Sequence, residues 1–392
     1  MASWVLVEKN TCLFPWKVLS HNREIATDRL AHLGMNKEVN FRLYRMRIGS
    51  GRLIKMTKEQ IKDDIEEGTG EAAQKAHISE LSSTDIDEIT DIMTQPTLTV
   101  GLEPGREVVL TTDGSYMKFG GISRYAGVPI SKEQALWTAE RVLGFDTMDL
   151  GTTDYSIKPV KPIILDEAVE LENCQLFSIV PLLYGAMPNL GIYYQSLGGK
   201  WQSPVDLLKQ GKLDEAKKTQ EDAARDLTTD ITYVARVIHQ AGADGINLDT
   251  TGASGDAEFY ATLQGVENLI KETGMTVEVG MSGETIQGMH TELTYKGKRL
   301  AGLWVHEQGK LVAEAGASIF GPTVNTRLGK SFPWNVGYSV TLVKKCTEEV
   351  PIPIHVNMGM GVCGIPMVET VPVECSSRAA RAMITVADVD GI

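Results

Sequence analysis

From about residue 131 the chain repeats one unit: a short aliphatic run rich in β-branched residues, a polar turn, and a longer stretch of helical periodicity. The runs are "DTMDLG", "FSIVPLLYG", "GINLDTT", "TVEVGMSGE", "ASIFGP" and "IPIHVNMG". Short apolar strands alternating with helices are the pattern of a parallel sheet wrapped by helices, because only crossover helices return the chain for parallel pairing. Two helix-to-strand joints share a phrase, "AGADGINLD" at Ala241 to Asp249 and "AGASIFG" at Ala315 to Gly321, each ending a helix at glycine. The last residues, "VADVDGI", repeat that joint, with Asp390-Gly391-Ile392 matching Asp244-Gly245-Ile246. Counting this start gives about seven strands, where a closed (β/α) barrel has about eight. An unclosed parallel barrel would expose two edges of unpaired N–H and C=O groups. The expected fold is therefore α/β, a TIM-type (β/α)8 barrel over residues 131–392, incomplete as written, with the polypeptide expected to continue past Ile392. An open sheet ending at Ile392 is the alternative.

Ahead of the barrel, residues 46–130 read as a cap of helices and a hairpin. "TKEQIKDDIEEGT" offers Thr57 as N-cap, Gln60 at the capping-box position and Gly68 as a stop, and a second helix is expected from Ser83 to Met93. "EVVLTTDGSYMKF" places Asp113-Gly114 between two β-prone runs, a signal for a type I′ hairpin. Residues 1–45 lack sustained periodicity and are basic where the remainder is acidic, so they read as an extension or an early start.

With 51 acidic against 38 basic residues, a formal charge of −13, the 392-residue chain has no composition for neutralising a phosphate backbone, and no nucleic-acid partner is expected. Five scattered cysteines lack the paired spacing of a zinc module or disulfide framework, as befits a reducing cytoplasm. "MASWVLVEKN" is no secretory signal and no run approaches membrane-spanning length, so no membrane association is expected.

The runs "DYSIKPVKP", "PLLYGAMPN", "ADGINLDTT", "LAGLWVHEQ" and "HVNMGMGVCGIPMVET", with the closing "VDGI", resemble the dimethylamine:corrinoid methyltransferases. The likeness extends from about Met46 to the end, while residues 1–45 have no counterpart. It implies an in-frame amber codon read as pyrrolysine after Ile392, with more of the barrel and C-terminal helices beyond. It also implies methyl transfer from dimethylamine to the Co(I) corrinoid of a cognate partner protein, no permanently bound cofactor or metal, and a homo-oligomer. In that chemistry the amine adds to the pyrroline C=N and presents its methyl to cobalt.

Addition to an imine is promoted by an acid at a strand's C-terminal end. Glu284, in the loop after "TVEVGMSG", is the first candidate, a carboxyl expected among apolar neighbours; against it stands a plain loop carboxylate. Glu278, inside that strand, either points inward as a second catalytic carboxylate or is an outward or salt-bridged residue. Asp249, ending "GINLD", holds the substrate ammonium or caps the next helix. Tyr184, His355 and Asn357 lie at strand ends where they could orient substrate, with Asn325 and Trp334 weaker candidates of the same kind; a lone strand histidine also serves as a satisfied core residue.

"GMGVCG", Gly359 to Gly364, fits a dinucleotide fingerprint, but Pro366 breaks the helix start and no ribose-binding acid follows; it reads as a flexible barrel-top loop. Its methionines, Met358, Met360 and Met367, read as core filling, with a soft surface beside a corrinoid ring as the alternative. "HEQGK" fails the zinc-protease motif because Lys310 stands where the second histidine belongs. Two rival functions remain: a zinc-dependent corrinoid methyltransferase using His355, Cys363 and Cys375, and an inactive fragment that occupies the corrinoid partner.

Overall fold

The computed structural model describes residues 42–106, 108, 188–249, 251–368 and 371–392, and between them the backbone of the strands from 109 to 186. In chain order the elements are β1 (Tyr44–Arg47), β2 (Leu53–Met56), α1 (Lys58–Ala76), α2 (Ser83–Met93), β3 (Val109–Thr112), β4 (Tyr116–Phe119), β5 (Val128–Ser131), β6 (Asp146–Leu150) and β7 (Leu182–Ala186). There follow α3 (Pro204–Lys209), α4 (Leu213–Gln240), β8 (Gly245–Leu248), α5 (Asp256–Thr273), β9 (Thr276–Ser282), the small hairpin β10 (Thr294–Tyr295) and β11 (Lys298–Arg299), α6 (Val305–Ala315), β12 (Ile319–Pro322), α7 (Phe332–Glu349) and α8 (Val373–Thr385). Among the described residues no helix is long and apolar enough to cross a membrane.

One sheet organises the chain. Its strands β3, β6, β7, β8, β9 and β12 pair in parallel and in chain order. The row continues through single parallel bridges, Phe320 to Ile354 and His355 to Gly391, and the Val356 N–H donates to the Gly391 carbonyl at 2.9 Å. The closing "VDGI" thus meets "IPIHVN" through one bridge at Gly391. The mixed α/β architecture with a parallel sheet is as expected from the alternation of runs.

Faces alternate along each strand. Ile246, Leu248, Val277, Val279, Phe320, Ile354 and Val356 are buried apolar residues. They belong to the face on which helices pack, as Phe320 does against Gly309 of α6. The residues between them are polar or glycine, and they make the site.

Two expectations are corrected here. β3 does not form a hairpin with β4: it is the first strand of the parallel sheet, and β4 pairs antiparallel with β5. Joining the sheet gives an apolar strand a long-range neighbour, which prevails over a local turn signal; the Asp113-Gly114 turn itself lies outside the described residues. The sheet therefore begins within the segment assigned to the cap. Secondly, Gly68 does not stop α1. The capping box at Thr57 and Gln60 forms, but the helix runs on to Ala76 and ends at His77 with φ 55°.

Gly68 serves a helix crossing instead. A Cβ there would sit 2.3 Å from the Trp334 carbonyl oxygen, and one at Gly337 would sit 2.8 Å from that of Ile65. The two glycines let α1 and α7 touch backbone to backbone, and the Thr341 hydroxyl donates to that of Thr69 at 2.8 Å. Gly68→Val is expected to lower stability by about 3 kcal/mol, since neither backbone can yield without separating the helices. Urea unfolding monitored by circular dichroism checks it, and an unchanged midpoint would refute the crossing.

Candidate active site

On the polar face, Asn247 of β8 is the register partner of Glu278 of β9, which in turn faces Ile319 of β12. Two residues further along lie Asp249, Gly280 and Gly321. Glu278 and His355 are buried, 2% and 7% exposed, and Glu278 Oε1 meets His355 Nδ1 at 2.5 Å. To do so the pair spans the intervening strand β12 at Gly321. A Cβ at Gly321 would lie 2.7 Å from Gly280 Cα, 3.2 Å from the His355 carbonyl oxygen and 3.4 Å from Glu278 Oε1. Glycine at 321 is therefore a condition for the contact.

The pair sets the charge of the imidazole. Burial by itself favours the neutral ring, but the Glu278 carboxylate and a hydrogen bond with the Ile392 backbone overcome it, and the His355 pKa stands above the ordinary imidazole value. A protonated histidine buried against a carboxylate can both hold and deliver a proton. Glu278 is buried and paired with His355, so the outward-facing alternative weighed above is not realised.

Glu284 is in a different setting from the apolar one expected of it. It is 6% exposed, and both of its oxygens are occupied. Arg327 Nη1 donates to Oε1 and Nη2 to Oε2, each at 2.7 Å. The Asn325 backbone N–H donates to Oε1 at 2.9 Å, and the Tyr338 hydroxyl to Oε2 at 3.1 Å. Four donors fill the acceptor sites of a carboxylate. The guanidinium also lies 4.8 Å from the Tyr338 ring centroid, and that ring stacks on Trp334 at 5.2 Å. Glu284 therefore ties the loop after β9 to the loop after β12 and to α7. Arg327→Met is expected to lower stability by about 2–3 kcal/mol by stranding the carboxylate, with part of the loss recovered in the double variant with Glu284→Leu. Equal melting temperatures for wild type and Arg327→Met would show that the tie contributes nothing.

The remaining candidates fall as follows. Asp249, at the end of β8, is buried at 4% exposure and is not the helix cap weighed above, because the N-cap of α5 is Gly255. Tyr184 lies in β7 as the register partner of Ile246, with its side chain outside the described residues. The Asn357 backbone N–H donates to the Pro322 carbonyl at 3.2 Å, and its own carbonyl accepts from Cys363 Sγ at 3.4 Å. Asn325 contributes its backbone, to Glu284 and to a bridge with Val362. Trp334 is fully buried on α7. The structure brings Glu278 and His355 together, places Asp249 on the same face, and puts Glu284, Asn325 and Trp334 in the separate Arg327 network.

Glu258 and Asp256, missed in the sequence, hold the loops around this face. Glu258 of α5 is 1% exposed and accepts the backbone N–H of Leu190 and of Ser254, each at 3.1 Å; burial raises its pKa against the pull of these donors. Asp256 accepts the Thr291 N–H at 2.9 Å. A signal was present, two acids in the first turn of a helix after a glycine-rich loop, but nothing in it distinguished them from charge at a helix start.

The loop expected to be flexible is tied down: the Thr326 N–H donates to the Gly361 carbonyl at 2.8 Å, Cys363 N–H to Val324 at 2.7 Å and Met367 N–H to Gly49 at 2.8 Å. Met360 and Met367 are half exposed, so they are not core filling, while Met358 does pack against the core. The zinc ligand set is not assembled. His355 engages Glu278 and Cys363 the Asn357 carbonyl, and among the described residues no three His, Cys, Asp or Glu side chains converge as a metal site.

Among solved structures the chain is similar to the spore cortex-lytic enzyme SleL of Bacillus megaterium QM B1551, at 12% identity and TM-score 0.35, over 74% of this chain and 60% of that one. It is also similar to the metallated homocysteine methyltransferase MmuM of Escherichia coli, at 15% identity and TM-score 0.22, over 55% of this chain and 65% of that one. The chain thus spans less than two thirds of either structure's length. The family profile described as dimethylamine methyltransferase (Dimeth_PyL) matches residues 42–392. That match takes in both members of the Glu278–His355 pair and every strand of the sheet, and the chain belongs to the dimethylamine methyltransferase family.

Proposed function

We propose that the protein transfers a methyl group from dimethylamine to the Co(I) corrinoid of a partner protein and releases monomethylamine. In this reading it is a cytoplasmic homo-oligomer whose parallel strands close into a barrel. The family match supports the reading, and the observation that carries it is the buried Glu278–His355 pair beside Ile392. In the transfer the C–N bond breaks with its electron pair remaining on nitrogen, and Co(I) supplies the pair for the new C–Co bond. Nitrogen must therefore leave as a neutral amine, and proton placement decides the rate.

His355 holds a proton at Nδ1 against Glu278 Oε1, and Glu278 fixes the ring's orientation. Asp249 supplies a further negative charge on the same face for an ammonium. Glu284, saturated by Arg327, Tyr338 and Asn325, acts as a brace in place of the acid expected from sequence. The imine electrophile implied by the resemblance would supply activation of nitrogen, and a protonated His355 next to Ile392 fits the need of an imine for a proton donor.

The test mixes the full chain with its corrinoid partner in the Co(I) state and dimethylamine. Growth of the methyl-Co(III) absorbance with stoichiometric monomethylamine is the expected result. Binding of the partner without either product would overturn the enzymatic reading in favour of a fragment that merely occupies it.

A further inference from the structure

Two acceptors on the polar face have no partner among the described residues: Glu278 Oε2 and Asn247 Oδ1. Their residues are 2% and 3% exposed, and they are cross-strand partners in the register of β8 and β9. The two side chains pack over neighbouring glycines of the sheet, Asn247 on Gly280 and Glu278 beside Gly321. A Cβ at Gly280 would sit 2.5 Å from Asn247 Oδ1, and one at Gly321 would sit 3.4 Å from the other oxygen of Glu278. A buried acceptor left unpaired is unfavourable, so two of them on cross-strand partners call for a ligand that brings two donors.

The donor set limits the ligand. One carboxylate oxygen and one amide oxygen, with no convergent group of three His, Cys, Asp or Glu side chains among the described residues, are poor equipment for a divalent ion. They match a small organic ammonium with two N–H groups, one directed at each oxygen.

Resting on the function proposed above, we infer that Asn247 Oδ1 and Glu278 Oε2 bind the protonated secondary amine and set the preference for secondary over tertiary amines. A tertiary ammonium carries a single N–H and leaves one of the two acceptors buried and unpaired, a penalty that corresponds to roughly ten-fold or more in affinity. Asn247 is thus a specificity-determining residue.

The experiment compares wild type with Asn247→Leu, which keeps the side-chain shape without an acceptor, and Asn247→Asp, which restores one. Dimethylammonium and trimethylammonium chloride are titrated calorimetrically into each full-length protein, and kcat and KM are measured with the corrinoid partner. Asn247→Leu is expected to weaken dimethylammonium binding and raise its KM by ten-fold or more with kcat changed far less, and to narrow the gap between the two amines; Asn247→Asp should recover binding. If Asn247→Leu does not fold, Asn247→Ala reads the same comparison. Dimethylammonium binding unchanged in the Leu or Ala variant, with wild-type transfer intact, would overturn the assignment of Asn247 alone. A wild type that neither binds dimethylammonium nor forms methyl-Co(III) would overturn the proposed function as well.

Discussion

Replacing Glu278 by glutamine is expected to reduce methyl transfer by about two to four orders of magnitude, the usual share of acid–base catalysis. Glutamine preserves volume and an acceptor toward His355 Nδ1 but removes the charge that overcomes burial of the imidazole. The pH dependence carries the sign. Because the His355 pKa is raised in the folded protein, the pair's contribution to stability is fully present below imidazole's ordinary value of about 6.5 and is lost as pH rises through the raised one. Activity that needs the imidazolium should fall along the same alkaline limb in wild type. In Glu278→Gln that limb should move to lower pH, and an unmoved limb would remove the pair from the mechanism.

Gly321→Ala is expected to cost about 4 kcal/mol or more, among the largest effects a single methyl can have. The added Cβ would stand 2.7 Å from Gly280 Cα and 3.2 Å from the His355 carbonyl oxygen, both backbone atoms of neighbouring strands. Parallel strands on both sides prevent β12 from moving aside. The variant should lose methyl transfer together with stability, because the Glu278–His355 contact passes over the same position. Urea unfolding and the methyl-Co(III) assay read the two consequences separately. An alanine variant with wild-type midpoint and rate would show that the strands have room there.

Sequence reasoning reached the features whose causes are local. The box at Thr57 and Gln60 and the helix from Ser83 to Met93 depend on residues three or four apart and form as expected. Strands such as "GINLD" and "TVEVGMS" are marked by β-branched residues and by glycine at the joints. What escaped is long-range. β3 reads locally as half a hairpin yet pairs with β6, and Gly68 reads as a stop because its partner Trp334 is invisible from its own neighbourhood.

The site divides in the same way. Glu278, His355 and Asp249 stood out as polar residues in apolar runs, but 77 residues separate Glu278 from His355 and nothing local announces the contact. Glu284 was read as lying among apolar neighbours because Arg327, 43 residues away in "NTRLG", carries no mark of its partner. The alternation of Asn247, Asp249, Glu278, Gly280 and Gly321 with aliphatic residues was on display and could have identified the polar face.

The crossing of α1 and α7 has a consequence for biosynthesis. Thr69 and Thr341, which touch across it, are 272 residues apart. At ribosomal speeds of about 5–20 residues per second, the first helix waits on the order of ten seconds to a minute for its mate to emerge. Throughout that delay Ile61, Ile65 and Ala72, which end fully buried, have no α7 to cover them. The nascent protein is therefore expected to depend on chaperones early in translation, and slower elongation should lower its yield.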